Sequence, residues 1–325
     1  MRFVIYGAGG IGGTIGARLF LAGYEVLLIA RGEHLRSIQT DGMRFVTPSL
    51  DKHINIPAVG HPKEAALSDN DVVIMCMKGQ HTEDALRELY AHAPDSISVV
   101  SCQNGVANER AALRRFRNVY GMVVLLPAEH LEPGLVVNFA EDKAGVLDVG
   151  RYPFGSDNVA VSIAEAVENS GFSCRPDERV MRHKYAKLVV NLNNAVEAST
   201  GGGFNDLSRT LRQEAFACYE AAGIECATVE ETRDRRGGIK GGTPRAFKRH
   251  GGSSLQSIMR GTGDIETDYL NGEIVQLGRL YGVPTPANAV IQRIGNTVAR
   301  RSLKPGAYSV DDLLELIAVE SKGNE

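Results

Sequence analysis

The sequence predicts an α/β protein: a doubly wound parallel sheet followed by an all-helical C-terminal domain. Three observations carry this. Short β-branched runs alternate with helical stretches through the first half, long helical stretches take over after about residue 178, and a glycine-rich turn directly follows the first strand. Composition permits such a fold, with 43% hydrophobic and 23% charged residues in a chain of 325, the ordinary globular balance. At about 150 residues per domain the length fits two domains.

The elements follow in order. Apolar runs at 2–6, 24–30, 71–77, 97–102 and 119–125 read as strands, with helical stretches at 10–22, 79–90 and 105–116 between them. Short runs bounded by turn residues and joined by helices predict a parallel sheet covered on both faces. LVVNF (135–139) and AGVLDVG (144–150) read as a hairpin near the sheet edge, and a helix near 157–170 closes the unit. Pro176 does not suit a helix interior and marks the boundary. Beyond it, helical patterns cover 180–199, 206–227, 253–260, 265–281, 286–300 and 310–320. The expected domains are therefore 1–178 and 179–325. Segment 228–250 carries seven Lys or Arg against three Asp or Glu and little apolar content. It reads as a solvated surface excursion, with a mobile lid as the alternative.

Charge and cysteine usage exclude several classes. Lys plus Arg number 36 against 39 Asp plus Glu, a net charge of −3, which argues against a nucleic-acid partner. No apolar run approaches the roughly 18 residues of a membrane span, and the start, MRFVIYGAGG, lacks a signal-peptide layout. Five scattered cysteines read as reduced thiols, so the expected compartment is the cytoplasm. The eight histidines show no H-x-x-x-H or H-E-x-x-H spacing, and no metal site is expected. Apolar faces on the C-terminal helices would serve a homodimer or a core equally well.

Gly7-Ala8-Gly9-Gly10-Ile11-Gly12 fits G-x-G-x-x-G, between a strand and a helix. Gly7 permits the tight turn, Gly9 lets backbone approach a pyrophosphate, and Gly12 allows close helix–strand packing. The helix N-terminus at Gly10 and Ile11 offers N–H groups and a partial positive charge to the phosphates. This defines a Rossmann-type first domain with a dinucleotide site. The second strand ends Leu28-Ile29-Ala30-Arg31, with no acid at its tip. A carboxylate there would hold a free ribose 2′-hydroxyl, whereas a guanidinium binds a 2′-phosphate. The expected cofactor is NADPH, with Arg31 as the phosphate partner.

Around Lys187, a continuous helix at about 100° per residue would place Lys187, Asn191 and Asn194 within about 60° of one another. Leu188, Val189, Leu192, Ala195 and Val196 cover the other side. A helix apolar over most of its surface is buried, so its polar stripe must face partners or a cavity. This points to a site with Lys187 as proton donor. On a helix beginning near 265, Glu266 would share a core-facing stripe with Leu270, Ile274, Leu277 and Leu280. A carboxylate so placed needs a cation or strong donors.

Together GAGGIGG, MCMK at 75–78, QNGV at 103–106, HKYAKLVVNLNN at 183–194, SSLQS at 253–257 and ETDYLNGEIVQLGRLYGVPTPAN at 266–288 are particular. In these motifs the chain resembles the ketopantoate reductase (2-dehydropantoate 2-reductase) family over essentially its full length. The resemblance implies NADPH-dependent reduction of a small 2-oxo acid, ketopantoate, to pantoate in pantothenate biosynthesis. It implies Lys187 as the catalytic lysine and Glu266 as the acid that binds the substrate hydroxyl and orients the lysine. Asn191 and Ser254 would contact substrate, and Lys78 and Asn104 would lie beside the nicotinamide and ribose. Where the family often has a second asparagine this chain has Ala195, with Asn194 just before it as a substitute on the same face. The usual Thr before the glutamate is Ile265. These departures leave open a different 2-oxo acid, and a non-catalytic NADPH-binding sensor is the alternative of another class.

Overall fold

A computed structural model describes residues 1–202, 205–237, 239–245, 247–261 and 263–322. The chain opens with β1 (Arg2–Tyr6), α1 (Gly10–Leu21), β2 (Val26–Ile29) and α2 (Gly32–Asp41). It continues through β3 (Met43–Thr47), β4 (Leu50–Ile54), β5 (Ala58–Val59), β6 (Asp71–Met75) and α3 (Thr82–Tyr90). Then come β7 (Ser98–Ser101), α4 (Asn108–Leu113), β8 (Asn118–Met122), β9 (Ala128–Glu129), β10 (Leu135–Asn138), β11 (Val149–Arg151) and α5 (Asn158–Asn169).

Seven strands form one sheet in the order β11-β8-β7-β6-β1-β2-β5. Neighbours are parallel except β11, which runs antiparallel to β8. Phe3 stands opposite both Val26 and Val72, so β1 is central. The chain leaves β1 in one direction through β2 and β5, then returns to β6 on the other side. That reversal between β1 and β6 is the topological switch point, where open α/β sheets bind ligands at their carboxyl edge. Alternate residues feed opposite faces, as the period-2 geometry of strands requires. Phe3, Ile5, Leu28, Ile74 and Val100 join one buried cluster with Ile15 and Leu19 of α1. Val4, Ile29, Val73 and Val99 join the other with Leu86 and Leu89 of α3. The doubly wound parallel sheet of the sequence reading is present.

A second, four-stranded sheet, β4-β3-β10-β9, overturns the expected hairpin. LVVNF pairs parallel with β3, Val136 opposite Phe45, while residues 149–151 join the large sheet as β11. The reason is partner choice across distance. Phe45 and Val136 are both fully buried, and β10 packs on α1, an apolar contact that a local hairpin would forgo.

The C-terminal half is helical: α6 (Val180–Asn191), α7 (Asn194–Thr200), α8 (Asn205–Ala221), α9 (Val229–Arg236), α10 (Ser253–Met259), α11 (Asn271–Tyr281), α12 (Pro286–Arg300) and α13 (Val310–Lys322). The chain forms two compact units. The first comprises Met1–Gln103, Asn108–Lys184 and Thr228–Arg249, and the second Asn104–Ala107, Tyr185–Ala227 and His250–Glu325. In the second, α12 packs against α7, α8, α11 and α13, burying Val290, Ile291 and Val298 with Leu192, Val196, Leu211 and Leu313. Glu214 of α8 caps α12, accepting the Ala287 and Asn288 N–H groups at 2.8 and 2.9 Å.

Two expected features differ. The helix over 180–199 is broken between Asn191 and Asn194. Asparagines at 191, 193 and 194 are weak helix formers, and Asn271 Nδ2 donates to the Leu192 carbonyl at 3.1 Å, satisfying a group freed at the break. The basic segment lies at the surface, with no buried residue in α9, but rather than standing clear it is strapped to the first unit. Arg235 Nε donates to Asp148 Oδ2 at 2.6 Å and its Nη1 to Ser173 Oγ at 2.8 Å. Arg182 spans both oxygens of Glu231 at 3.2 Å, and the Gly242 N–H donates to the Phe139 carbonyl.

Candidate active site

In the first unit the glycines after β1 do three different jobs. Gly7 has φ +100, and a Cβ there would lie 2.8 Å from the Met77 nitrogen, at the loop after β6. A Cβ at Gly12 would stand 2.2 Å from the Gly7 carbonyl oxygen and 2.9 Å from Ile5, so α1 lies directly against β1. At Gly9 a Cβ would meet nothing within 4 Å. The turn is thus tight behind and open in front, at the switch point. The first turn of α1, from Gly10 and Ile11, carries no acid. An anionic pyrophosphate fits this loop on both steric and electrostatic grounds. Arg31, exposed, is the residue that precedes α2. Lys78, half-buried, follows β6 and opens a short 3₁₀ turn over Gly79–His81. Gln103 ties the loops after β6 and β7 together, its Nε2 donating to the Met77 carbonyl at 2.9 Å and to Thr82 Oγ1 at 2.7 Å.

One strong feature of this unit is absent from the sequence reading. Lys184 and Glu109 are buried, and Nζ lies 2.5 Å from Glu109 Oε1. The same ammonium faces the carbonyls of Ser101, Gln103 and Met122 at 3.2, 3.0 and 3.4 Å. Sequence offered only the i, i+3 lysine pair as a signal, with nothing to connect Lys184 to Glu109.

In the second unit, Lys187 is half-buried on α6 and Asn191 ends that helix. Asn191 is 8% exposed, and its Nδ2 has no hydrogen-bond partner among the described residues. A buried amide donor left open costs about 1–3 kcal/mol unless something accepts from it. Glu266 is buried, and Asn104 Nδ2 donates to its Oε2 at 3.3 Å. The expected helix from 265 starts instead at Asn271; Glu266 opens a 3₁₀ turn over Glu266–Tyr269, and Leu270 at φ −115, ψ −85 breaks the path. The predicted stripe accordingly fails at Leu280, which is 65% exposed. Ser254 is buried in the first turn of α10. The Gly252 N–H preceding it donates to Glu197 Oε2 at 3.1 Å. Asn194 opens α7 beyond the break, so a continuous helix does not set its direction; its Nδ2 lies 3.5 Å from Ser253 Oγ. The structure thus joins Asn104 to Glu266, and Asn194 to the neighbour of Ser254.

Among the described residues no group of three or more His, Cys, Asp or Glu could hold a metal ion. No described helix is long and apolar enough to cross a membrane.

The glycine turn at the switch point puts the first unit in the class of dinucleotide-binding domains. The comparisons narrow it. Residues 3–153 match the family model for ketopantoate reductase PanE/ApbA. Residues 179–298 match the model for its C-terminal part. The chain belongs to the ketopantoate reductase PanE/ApbA family, and it is an enzyme. A 2-dehydropantoate 2-reductase of Mesorhizobium japonicum is 29% identical over 95% of this chain and 100% of its own length. One from Pyrococcus horikoshii is 26% identical, over 94% and 100%. Among solved structures, a PanE/ApbA family ketopantoate reductase from Ralstonia eutropha superposes with a TM-score of 0.77 at 26% identity, covering 93% of this chain and 99% of that one. D-mandelate dehydrogenase with NADH and anilino(oxo)acetate shares the fold, with a TM-score of 0.80 at 22% identity, covering 93% and 99%.

Proposed function

We propose that this enzyme reduces 2-dehydropantoate to pantoate with NADPH. What supports the reading is the match of both parts of the chain to the ketopantoate reductase models, together with the buried Asn191 one turn beyond Lys187. When bound, NADPH supplies the hydride that adds to the ketone carbon. Lys187 stabilises the negative charge that develops on the carbonyl oxygen and gives it a proton, completing the alcohol. Glu266, held by Asn104 at 3.3 Å, accepts from the substrate hydroxyl and orients the lysine. Asn191 and Ser254 restrict the substrate's pose. Gly7, Gly9, Gly10, Ile11 and Gly12 hold the pyrophosphate, Arg31 the 2′-phosphate, and Lys78 and Asn104 the nicotinamide end. The acid-free tip of β2 supports NADPH over NADH, since no carboxylate there repels a 2′-phosphate.

A second reading, the same reduction on another 2-oxo acid, is favoured by one observation. Asn194 lies 3.5 Å from Ser253 and the family's second asparagine position is Ala195, so the donors this chain offers a substrate differ.

NADPH and NADH oxidation assays with 2-dehydropantoate and a panel of other 2-oxo acids test both. The expected result is greatest efficiency with NADPH and 2-dehydropantoate, and a turnover lowered by about 10² or more in Lys187→Ala with NADPH affinity intact. Near-normal turnover in that variant removes Lys187 from the reaction. A clear preference for NADH overturns the cofactor assignment, and a better 2-oxo acid overturns the substrate.

A further inference from the structure

We propose that His34 is a positioning residue of the dinucleotide loop, locking the Ala8 carbonyl and thereby aiming the Gly9 N–H. The inference rests on the reading of Gly7–Gly12 as the cofactor site. His34 lies in the first turn of α2, outside that loop, yet its Nε2 stands 2.8 Å from the Ala8 carbonyl oxygen. Its Nδ1 stands 2.9 Å from the backbone nitrogen of Gly134.

The second contact decides the first. An amide N–H can only donate, so Nδ1 accepts; in a neutral ring the proton then sits on Nε2 and donates to Ala8. Burial, only partly offset by the Ala8 hydrogen bond, holds the His34 pKa below the usual histidine range and favours that neutral ring. His130 packs against it with ring centroids 4.0 Å apart, its own Nδ1 3.0 Å from the Leu135 carbonyl. Close approaches hold the surroundings. A Cβ at Gly13 would come within 2.9 Å of the Ala8 oxygen, and one at Gly134 within 2.9 Å of Ser37 Cβ on α2. Three parts of the first unit (α1, α2 and the turn at Gly134) therefore converge on one carbonyl.

The consequence follows from peptide planarity. The Ala8 carbonyl and the Gly9 N–H belong to one rigid trans plane and point in opposite directions. Fixing the oxygen fixes the direction of the Gly9 N–H. In a Gly-Ala-Gly stretch nothing in the side chains would otherwise hold that plane, because glycine moves between backbone regions at little steric cost. His34 thus removes entropy that the cofactor would have to remove on binding.

The test uses the full-length protein and three variants, with NADPH binding followed by fluorescence titration alongside steady-state kinetics. Glutamine can place a donor near the Nε2 position, whereas asparagine reaches only Nδ1 and leucine neither. His34→Leu and His34→Asn are expected to raise the NADPH Kd about tenfold while kcat at saturating NADPH stays within about twofold. His34→Gln is expected to keep Kd within about threefold of wild type. If wild type itself fails to bind NADPH, the cofactor reading falls and takes this inference with it. If wild type binds and His34→Asn binds as tightly, or His34→Gln loses as much as His34→Asn, the inference alone is overturned. Should His34→Leu not fold, the Asn and Gln pair decides.

Discussion

Lys184 and Lys187 stand three residues apart on α6, and their identities alone do not separate them. Periodicity selects Lys187 for chemistry, and burial separates the two side chains. Lys184 is committed to Glu109 and three backbone carbonyls. A buried pair is weak evidence of net stabilisation, but removing one partner strands the other charge. Lys184→Met is therefore expected to destabilise the protein by about 3–5 kcal/mol, and adding Glu109→Leu to restore most of that. Lys187 is half-buried, so Lys187→Ala should leave stability nearly unchanged while turnover falls. Urea denaturation of the three variants checks this. A double variant as unstable as the single one would mean that Lys184 acts through its carbonyl contacts rather than through Glu109.

At the scale of elements, legibility followed how local each signal was. The loop Gly7–Gly12 was readable because its demands (a positive φ, an open face and a close approach to Ile5) fall within one strand–helix turn. The break after Asn191 was not, because the group that stabilises it, Asn271, lies far along the chain. The second sheet was missed for a similar reason. β4 reads LDKHI with three exposed residues in its middle, and β3 finds its parallel partner in β10. Lys187, Asn191 and Glu266 are candidates by type and spacing; the contact of Asn104 with Glu266 could not be read from the sequence, since it spans the chain. Asp157 shows an element end whose strength can be measured. It caps α5 by accepting the Ala160 N–H at 2.9 Å, and also meets Arg151 and Tyr120. Burial raises its pKa, but the Ala160, Arg151 and Tyr120 contacts outweigh this and lower it below 3.8. A carboxyl with a lowered native pKa contributes stability above its unfolded pKa and loses it as pH falls through the native value. Asp157→Ala should thus cost about 1 kcal/mol at pH 7, and the gap to wild type should narrow as the pH drops below about 4. Denaturant melts at both pH values decide; a constant gap would mean that the carboxylate's charge contributes nothing.

On the scale of the whole molecule, the two units are not two consecutive stretches of chain. The first is completed by α6 residues as far as Lys184 and by Thr228–Arg249, which returns to it after the chain has entered the second. The returning pieces bring cations to buried acids: Lys184 to Glu109, and Arg235 to Asp148, which is 1% exposed. A fragment ending at residue 178 would keep both acids and lose both cations, though Asp148 would retain Arg175, whose Nε lies 3.7 Å from its Oδ2 and whose backbone N–H donates to its Oδ1 at 3.1 Å. Glu109 is the acid left stranded, at a cost of about 3–5 kcal/mol against a typical domain's stability of about 5–15 kcal/mol. Such a fragment is expected to melt well below the full chain and to bind NADPH more weakly, although it contains the entire glycine loop and Arg31. Replacing Glu109 by an apolar residue of similar size (Glu109→Leu) in the same fragment should recover part of the lost stability, because the desolvation cost then disappears. Circular dichroism melts of the two fragments beside the full chain make the comparison. A cooperative melt of the unmodified fragment near the full-length temperature would show that the first unit stands without its returning segments.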